Sequence, residues 1–223
     1  MHRISRDQIV YRLDSQHDSV LEIDSGDRVL LETWDARSGT ITSGRDLLLQ
    51  PHPVGSNPAT GPIHVRHAEP GDGLAVHIEA IDLAPSGFLA VKKGEGLLAS
   101  RALEFATRIV PITDGIVHFG DLRFPAHPMV GVIGTAPAGE GISTSFAGAH
   151  GGNMDNKHIT PGATVYLPVC VPGAGLGLGD VHGAMGDGEI TFIGLEICAE
   201  VAARVDLVKG AGIRRPLVET DHH

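Results

Sequence analysis

Cysteine, aromatic residues and long apolar runs are scarce in this chain of 223 residues. It has 2 Cys and 4% aromatic residues, and no run reaches the roughly 18 apolar residues of a membrane-spanning helix. A disulfide framework and a membrane span are therefore excluded as organising features. Cys170 and Cys198 lie in apolar segments and are predicted to be buried core residues rather than reactive thiols. The N-terminus lacks the apolar core of a signal peptide, so we expect a cytoplasmic protein.

Basic residues are also few, with 17 Lys plus Arg against 27 Asp plus Glu and a formal net charge of -10. This charge repels phosphate backbones and anionic lipid surfaces, so we expect neither a nucleic-acid partner nor a membrane partner. The 13 His lie mostly beside Asp, Glu or Gly, which favours a metal or proton-transfer site. The length allows one globular domain over residues 1–223, with a possible subdivision near residues 110–130.

Hydrophobic periodicity predicts a chain made mainly of strands. The strand candidates, rich in Val, Ile and Leu, are residues 27–33, 74–83, 129–133, 164–170 and 190–201. Helical spacing of Leu, Ala and Phe occurs only at residues 97–108. Gly/Pro-rich stretches at residues 50–62, 134–157 and 171–188 predict long functional loops. We therefore predict a mainly β fold, an antiparallel β-sandwich or barrel assembly with one or few short helices.

The segment AHGGNMDNK, residues 149–157, is the first candidate for chemistry. His150 and Asp155 offer a nitrogen and an oxygen ligand, and Gly151 and Gly152 let the backbone approach a bound ion or small substrate closely. The same pattern also fits an Asn/Gly turn with a surface histidine, and the segment alone leaves both interpretations open.

The segment GDVHGAMGDGE, residues 179–189, is the second candidate. Asp180 and His182 are two residues apart, so on an extended backbone their side chains face the same side, as paired metal ligands must. Placing these groups beside Asp155 and Glu189 brings like charges together, which a cation would relieve. Asp187, between two glycines, is also typical of a turn-forming residue.

Other candidates are single residues, and the alternatives for each stay open. Asp35 follows the first predicted strand, where a functional carboxylate is often presented. His127 lies between two prolines and is a candidate for lining a pocket, whereas His64 and His67 are predicted to be surface or core histidines. Lys157 is the one lysine of four that adjoins a candidate site. Phosphate-binding loops, a dinucleotide fingerprint and a serine nucleophile elbow are absent from the sequence.

Four segments, in this order, resemble the acetamidase/formamidase family: NPATGPIHVRHAEPGDGLAVHI, HPMVGVIGTAP, AHGGNMDNKHITPGATVYLPVCVPGA and GDVHGAMGDGEI. The resemblance runs from about residue 21 to about residue 201. It implies a β-rich fold and hydrolysis of formamide or acetamide to the carboxylic acid and ammonia. It places the family's functional positions on Asp35, His150, Asp155, Asp180, His182 and Glu189.

These residues lead to a hypothesis of metal-assisted hydrolysis. A divalent ion, with Zn expected, is held by four ligands: Asp35, His150, Asp180 and His182. Glu189 carries the proton from water to the leaving nitrogen. Lys157 or the backbone N–H groups of Gly151 and Gly152 stabilise the oxyanion. The substrate-binding set is Gly151, Gly152, Asp155 and His127.

A second, harder ion such as Ca is compatible with Asp155 and Asp187. We expect a small-molecule amide as substrate and a homodimer as the assembly, because β-rich chains tend to cover exposed sheet edges. Two alternatives remain open. One is a metal-dependent hydrolase of a lactone or cyclic amide; the other is a β-scaffold that binds a small ligand or metal without catalysis.

Overall fold

A computed structural model of the chain describes residues 1–49 and 55–221. The strands, in chain order, are β1 (His2–Ile4), β2 (Ile9–Val10), β3 (Arg12–Leu13), β4 (Leu21–Ile23), β5 (Asp27–Thr33), β6 (Ala59–Val65), β7 (Gly73–Leu83), β8 (Ser86–Val91), β9 (Ala106–Thr113), β10 (Ile116–Phe119), β11 (Leu122–Pro125), β12 (Met129–Gly134), β13 (Ile142–Ser143), β14 (Ala147–Gly148), β15 (Gly151–Asn153), β16 (Thr164–Pro168), β17 (Leu176–His182), β18 (Ala199–Val208) and β19 (Leu217–Glu219). Within the described ranges the helical content is one 3-10 turn, Asp187–Glu189. No helix there combines the length and apolar character needed to cross a membrane.

Two large sheets form the body of the molecule. One has the order β1-β5-β18-β7-β16-β19; the other has the order β14-β15-β12-β17-β6-β2, with β4 pairing β6. Side chains from both sheets join in one core cluster, including Val76 of β7, Val130 of β12, Val181 of β17 and Val201 of β18. Burial alternates along β18, as expected for a strand with one face on the core. The predicted mainly β, sandwich-like fold is confirmed.

A smaller four-stranded sheet, β11-β10-β9-β8, extends from this body. Val110, Val117 and Leu195 form a separate apolar cluster beneath it. Asp114 and Gly115 join β9 to β10 with φ of 51° and 74°, the left-handed conformations of a tight hairpin turn. The segment near residues 110–130, where a subdivision is predicted, contributes β10 and β11 to this sheet.

The predicted helix at residues 97–108 is wrong. Residues 97–105 form turns and irregular backbone, and residue 106 begins β9. Leu97 and Leu103 are 78% and 70% exposed, so no apolar face is buried there. A short isolated helix is unstable without such packing. The spacing of its leucines was therefore misleading.

The loop predicted at residues 171–188 contains β17, every residue of which is buried. Glycines at this density predict a loop from sequence, but here they are needed inside the sheet. A Cβ on Gly179 would collide with the carbonyl oxygen of Pro58, and one on Gly177 would lie 2.9 Å from Leu13. The glycines therefore allow close approach of neighbouring chain segments on a buried strand.

Other boundaries differ in smaller ways. The strand predicted at residues 190–201 begins only at residue 199, that at 164–170 ends at residue 168, and the loop predicted at 134–157 contains β13, β14 and β15. The loop predicted at 50–62 ends inside β6, and residues 50–54 lie outside the described ranges. Cys170 and Cys198 are partly exposed free thiols, not fully buried core residues.

Candidate active site

Asp180 and His182 lie at the end of β17, and their side chains approach each other. The distance from His182 Nε2 to Asp180 Oδ1 is 3.7 Å. Both residues are 1% exposed. The strand therefore delivers a carboxylate and an imidazole together into the interior, where an uncompensated charge is costly.

Glu196 joins this pair and was not predicted from the sequence. Its Oε1 lies 3.2 Å from His182 Nε2, and the residue is 2% exposed. An isolated β-bridge pairs Glu196 with His182, and another pairs it with Phe88, which fixes its backbone beside the end of β17. Glu189, on the 3-10 turn, brings its Oε1 to 4.0 Å from the same nitrogen.

Asp155 completes a five-residue group that we call the acidic cluster: Asp155, Asp180, His182, Glu189 and Glu196. Ligand atoms of Asp155, Asp180 and His182 lie within 4.8 Å of one another, as do those of His182, Glu189 and Glu196. Gly131 of β12 makes room, because a Cβ there would lie 2.8 Å from Asp155 Oδ1 and 3.1 Å from Asp180 Oδ2.

The cluster carries four carboxyl groups against one imidazole. Burial, followed by repulsion from Asp180 and Glu189, raises the pKa of Asp155 to about 7. Burial also raises the pKa of Glu189. Burial opposes protonation of His182, but the carboxylates of Glu196 and Asp180 outweigh it and raise the pKa. The site thus carries excess negative charge that protons or a cation must offset.

Several polar atoms of the cluster lack hydrogen-bond partners among the described residues. They are Asp155 Oδ1, Asp180 Oδ1, Glu196 Oε2 and His182 Nδ1. Buried polar atoms in native proteins are normally paired. Carboxylate oxygens and an imidazole nitrogen are ligands for divalent metals. The donor types, their convergence and the space left by Gly131 therefore fit a metal ion.

Asn57 is a second residue that sequence reasoning missed as a site residue. Its Nδ2 donates to Asp180 Oδ2 at 2.8 Å and to Asn153 Oδ1 at 3.3 Å. Its backbone is left-handed, with φ of 58°, as are those of Asp155 at 41°, Asp180 at 52° and Glu189 at 42°. Such conformations in residues other than glycine are costly and concentrate at functional sites.

Two predicted metal ligands, Asp35 and His150, lie outside both ligand groups. Asp35 Oδ1 accepts from the N–H groups of Arg37 at 2.8 Å and Gly39 at 3.1 Å. Burial raises its pKa, and the charge of Asp180 adds a smaller effect. His150 is 2% exposed, and burial lowers its pKa. Their roles as ligands stay predictions.

The remaining predicted residues surround the cluster at different depths. Lys157 Nζ lies 2.7 Å from Oδ1 of the exposed Asp187. His127 is exposed on the wall of a neighbouring cleft. Gly151 and Gly152 are buried in β15 with φ of 97° and 87°, where a Cβ would collide with the carbonyls of residues 133 and 146.

Two cavities meet at Glu189. The first, of about 390 Å³, is lined by Asn57, Asp180, Glu189 and Glu196 among others, and we call it the inner cavity. The second, of about 890 Å³, is lined by His127, Lys157 and Glu189 among others, and we call it the outer cleft. The inner cavity contacts more of the acidic cluster, so it is the candidate site for a reacting substrate.

Comparison with known proteins identifies the family of the chain. Residues 3–145 and 138–222 match the model of the Acetamidase/Formamidase family. The chain belongs to this family. That membership confirms the resemblance seen in its four sequence segments.

Individual relatives extend the comparison. A formamidase homologue of Schizosaccharomyces pombe is 29% identical over 84% of this chain, which spans 61% of that protein's length. A crystal structure of an acetamidase from Bacillus halodurans has a TM-score of 0.95 and 41% identity, covering 98% of this chain and 75% of that one. A γ-lactamase from Delftia acidovorans has a TM-score of 0.88 and 26% identity, covering 96% and 68%.

Proposed function

We propose that this protein hydrolyses the carbon–nitrogen bond of short aliphatic amides, formamide or acetamide, releasing the carboxylic acid and ammonia. The acidic cluster at the inner cavity is the observation that carries the proposal, because it brings together ion ligands and proton-transfer groups. Membership of the Acetamidase/Formamidase family supports the same reaction. The chain spans 61% of the length of its S. pombe relative, and the activity is proposed here for the chain as it stands.

We propose that Asp180 and His182 hold a divalent ion together with Asp155, and that Glu196 contributes from the second ligand group, which shares His182 with the first. Asp155 Oδ1 and Glu196 Oε2 have no hydrogen-bond partner among the described residues. Zn is the expected ion because an imidazole is among the ligands, and the oxygen-rich remainder also suits a second ion such as Ca. Such an ion, when bound, polarises the amide carbonyl and makes water more acidic.

Glu189 is the proposed proton carrier. It is half-buried, and its raised pKa suits a group that takes a proton from water and later gives it up. Water adds to the carbonyl carbon as Glu189 accepts its proton. The amide nitrogen receives that proton as the carbon–nitrogen bond breaks, which leaves the carboxylic acid and ammonia. Asn57 orients Asp180 through its 2.8 Å hydrogen bond.

Lys157 is proposed to position the turn that carries Glu189. Its ion pair with Asp187 joins the segment after Asp155 to the 3-10 turn. The role predicted from sequence, direct stabilisation of the oxyanion by Lys157 or by Gly151 and Gly152, stays a prediction. So do substrate contacts from His127 and Asp155, the homodimer and the cytoplasmic location.

Cyclic amides are a second candidate substrate class. The observation in their favour is the similarity to the γ-lactamase from Delftia acidovorans. The same attack on a lactam opens the ring and releases no ammonia, so analysis of the products separates the two classes.

His182→Ala tests the proposal. We expect loss of bound metal, measured by mass spectrometry, together with loss of ammonia release from formamide and acetamide. His17→Ala is the matched control, because His17 is exposed in a turn. Full retention of bound metal by His182→Ala would remove His182 from the ligand set. Wild-type protein that binds metal but turns over neither amides nor lactams would indicate a binding scaffold.

A further inference from the structure

The inner cavity has a polar floor and two phenylalanines at its mouth, and Arg37 and Lys92 also line it. At the floor, Asp180 and Glu196 are 1% and 2% exposed. At the mouth, the large side chains of Phe146 and Phe192 are 66% and 48% exposed. Both phenylalanines line the same cavity as the carboxylates. A substrate whose amide group lies at the floor can therefore place its acyl group against aromatic side chains.

Each phenylalanine is tied to the floor by hydrogen bonds. The carbonyl of Phe146 accepts from the backbone N–H of Asn153 at 3.2 Å, and the side chain of Asn153 accepts from Asn57 at 3.3 Å. The N–H of Phe192 donates to the carbonyl of Glu189 at 2.8 Å. The backbones of both phenylalanines are thus linked to segments that carry or support the acidic cluster.

The volume of the cavity exceeds what acetamide needs. It measures about 390 Å³, whereas one liquid water occupies about 30 Å³, and pockets of roughly 300–1,000 Å³ hold drug-sized ligands. Acetamide has four non-hydrogen atoms. Leu48 and Ile193 line the space as well, together with the polar Arg37, Ser56, Lys92 and Ser145. Part of the volume left over by acetamide therefore lies beside apolar side chains.

Phe192 is held in an unfavourable conformation although it is half-exposed. Its φ is 74°, a genuine outlier for a bulky residue. The Lys92 ammonium lies 5.3 Å from the centre of its ring, and Glu95 pairs with Lys92 at 3.3 Å. Strain kept at an exposed apolar ring favours a role in binding over a role in the core.

We infer that the inner cavity favours, among aliphatic amides, those with an acyl group larger than acetyl, such as butyryl, over formamide and acetamide, and binds that group between Phe146 and Phe192. This inference rests on the proposed amidase function. Each methylene that becomes buried at the mouth should raise kcat/KM about fourfold, the factor that corresponds to the burial of one CH₂ group.

The test is ammonia release from formamide, acetamide, butyramide, hexanamide and benzamide. We expect kcat/KM to rise from acetamide to butyramide by roughly 15-fold. Phe192→Ala and Phe146→Ala should each lower the butyramide-to-acetamide ratio severalfold. Phe124→Ala is the matched control, because Phe124 is a partly exposed phenylalanine that lines the outer cleft instead, and it should leave the ratio unchanged.

The outcomes separate this inference from the proposed function. Turnover that is fastest with formamide and falls with acyl length would overturn the inference and leave the amidase function intact. Sensitivity of the ratio to Phe124→Ala alone would place the acyl group in the outer cleft and also overturn it. Absence of ammonia from every amide in the metal-loaded protein would overturn the proposed function itself.

Discussion

Glu196 Oε1 lies 3.2 Å from His182 Nε2, and both side chains are withdrawn from solvent. The pair is buried at 2% and 1% exposure, and burial raises the pKa of Glu196. A buried pair of this kind is weak evidence for stability, because desolvation offsets much of the attraction. Its position beside three more carboxyl groups makes a functional role the better explanation.

Glu196→Gln tests that role directly. The substitution keeps the shape of the side chain and removes its charge, so we expect metal affinity to fall about ten- to hundredfold or more, with activity falling alongside. Metal titration followed by mass spectrometry measures the affinity. Glu200→Gln is the control, since Glu200 pairs with the exposed Arg3 at 2.5 Å on the sheet surface. Unchanged metal affinity in Glu196→Gln would show that Glu196 is not a ligand.

Glu189→Gln separates proton transfer from metal binding. An amide side chain cannot carry the proton, so turnover should fall by about 10²- to 10⁴-fold while most of the bound metal is retained. Steady-state ammonia release and metal content are measured on the same preparation, with Glu79→Gln, which removes an ion pair with Arg28, as control. Wild-type turnover in Glu189→Gln would assign proton transfer to another group.

A charge swap tests whether Lys157 acts through the turn or on the substrate. Lys157→Glu alone places like charges at the 2.7 Å contact with Asp187 and should displace the turn that carries Glu189. Because the pair is exposed, we expect kcat to fall only about two- to fivefold. The double variant with Asp187→Lys should restore it. Failure of the swap while metal binding stays intact would favour direct stabilisation of the oxyanion by Lys157.

Asp72 is expected to make a pH-dependent contribution to the stability of the fold. Its carboxylate accepts from Lys209 at 2.6 Å and from the N–H groups of Gly210 at 2.8 Å and Glu69 at 2.9 Å. Lys209, followed by these N–H groups, lowers the pKa of Asp72 to about 2. A carboxyl group whose pKa is lowered by folding stabilises the protein at pH values above its pKa in the unfolded chain, which is about 4. That contribution is lost as the pH falls towards 2.

Urea unfolding at pH 7 and at pH 2.5 measures this contribution. Asp72→Asn should be less stable than wild type at pH 7, and the difference should shrink at pH 2.5. Asp121→Asn, at an exposed turn position, should show neither effect. A difference between Asp72→Asn and wild type that is the same at both pH values would contradict the account.

Much of the site was predictable because its chemistry is local in sequence. The two-residue spacing of Asp180 and His182 indicated a pair of neighbouring side chains, although the left-handed backbone of Asp180 was not foreseen. The glycine turns indicated Asp155 and Glu189. Glu196 was missed because it lies in the apolar run GLEICAEV, which was interpreted as strand core. A single acidic residue inside such a run was itself a signal, because burying an unpaired carboxylate is costly.

The rest depends on contacts between distant segments. Asn57 reaches Asp180 across 123 positions of sequence, and no local pattern predicts that hydrogen bond. Glycine composition predicts a loop where β17 forms. The glycine at position 179 is explained by the close approach of Pro58, a contact that the sequence does not show. Leucine spacing predicts a helix at residues 97–108. Such a helix needs a surface on which to bury its leucines, and the sequence alone does not reveal whether one is available.

Metal content and ammonia release, measured on one preparation before and after chelation, test the central claim most directly. We predict that the purified protein carries a divalent ion, that chelation abolishes ammonia release from formamide and acetamide, and that adding back one type of ion restores it. A metal-free protein that releases ammonia at the undiminished rate would contradict the account.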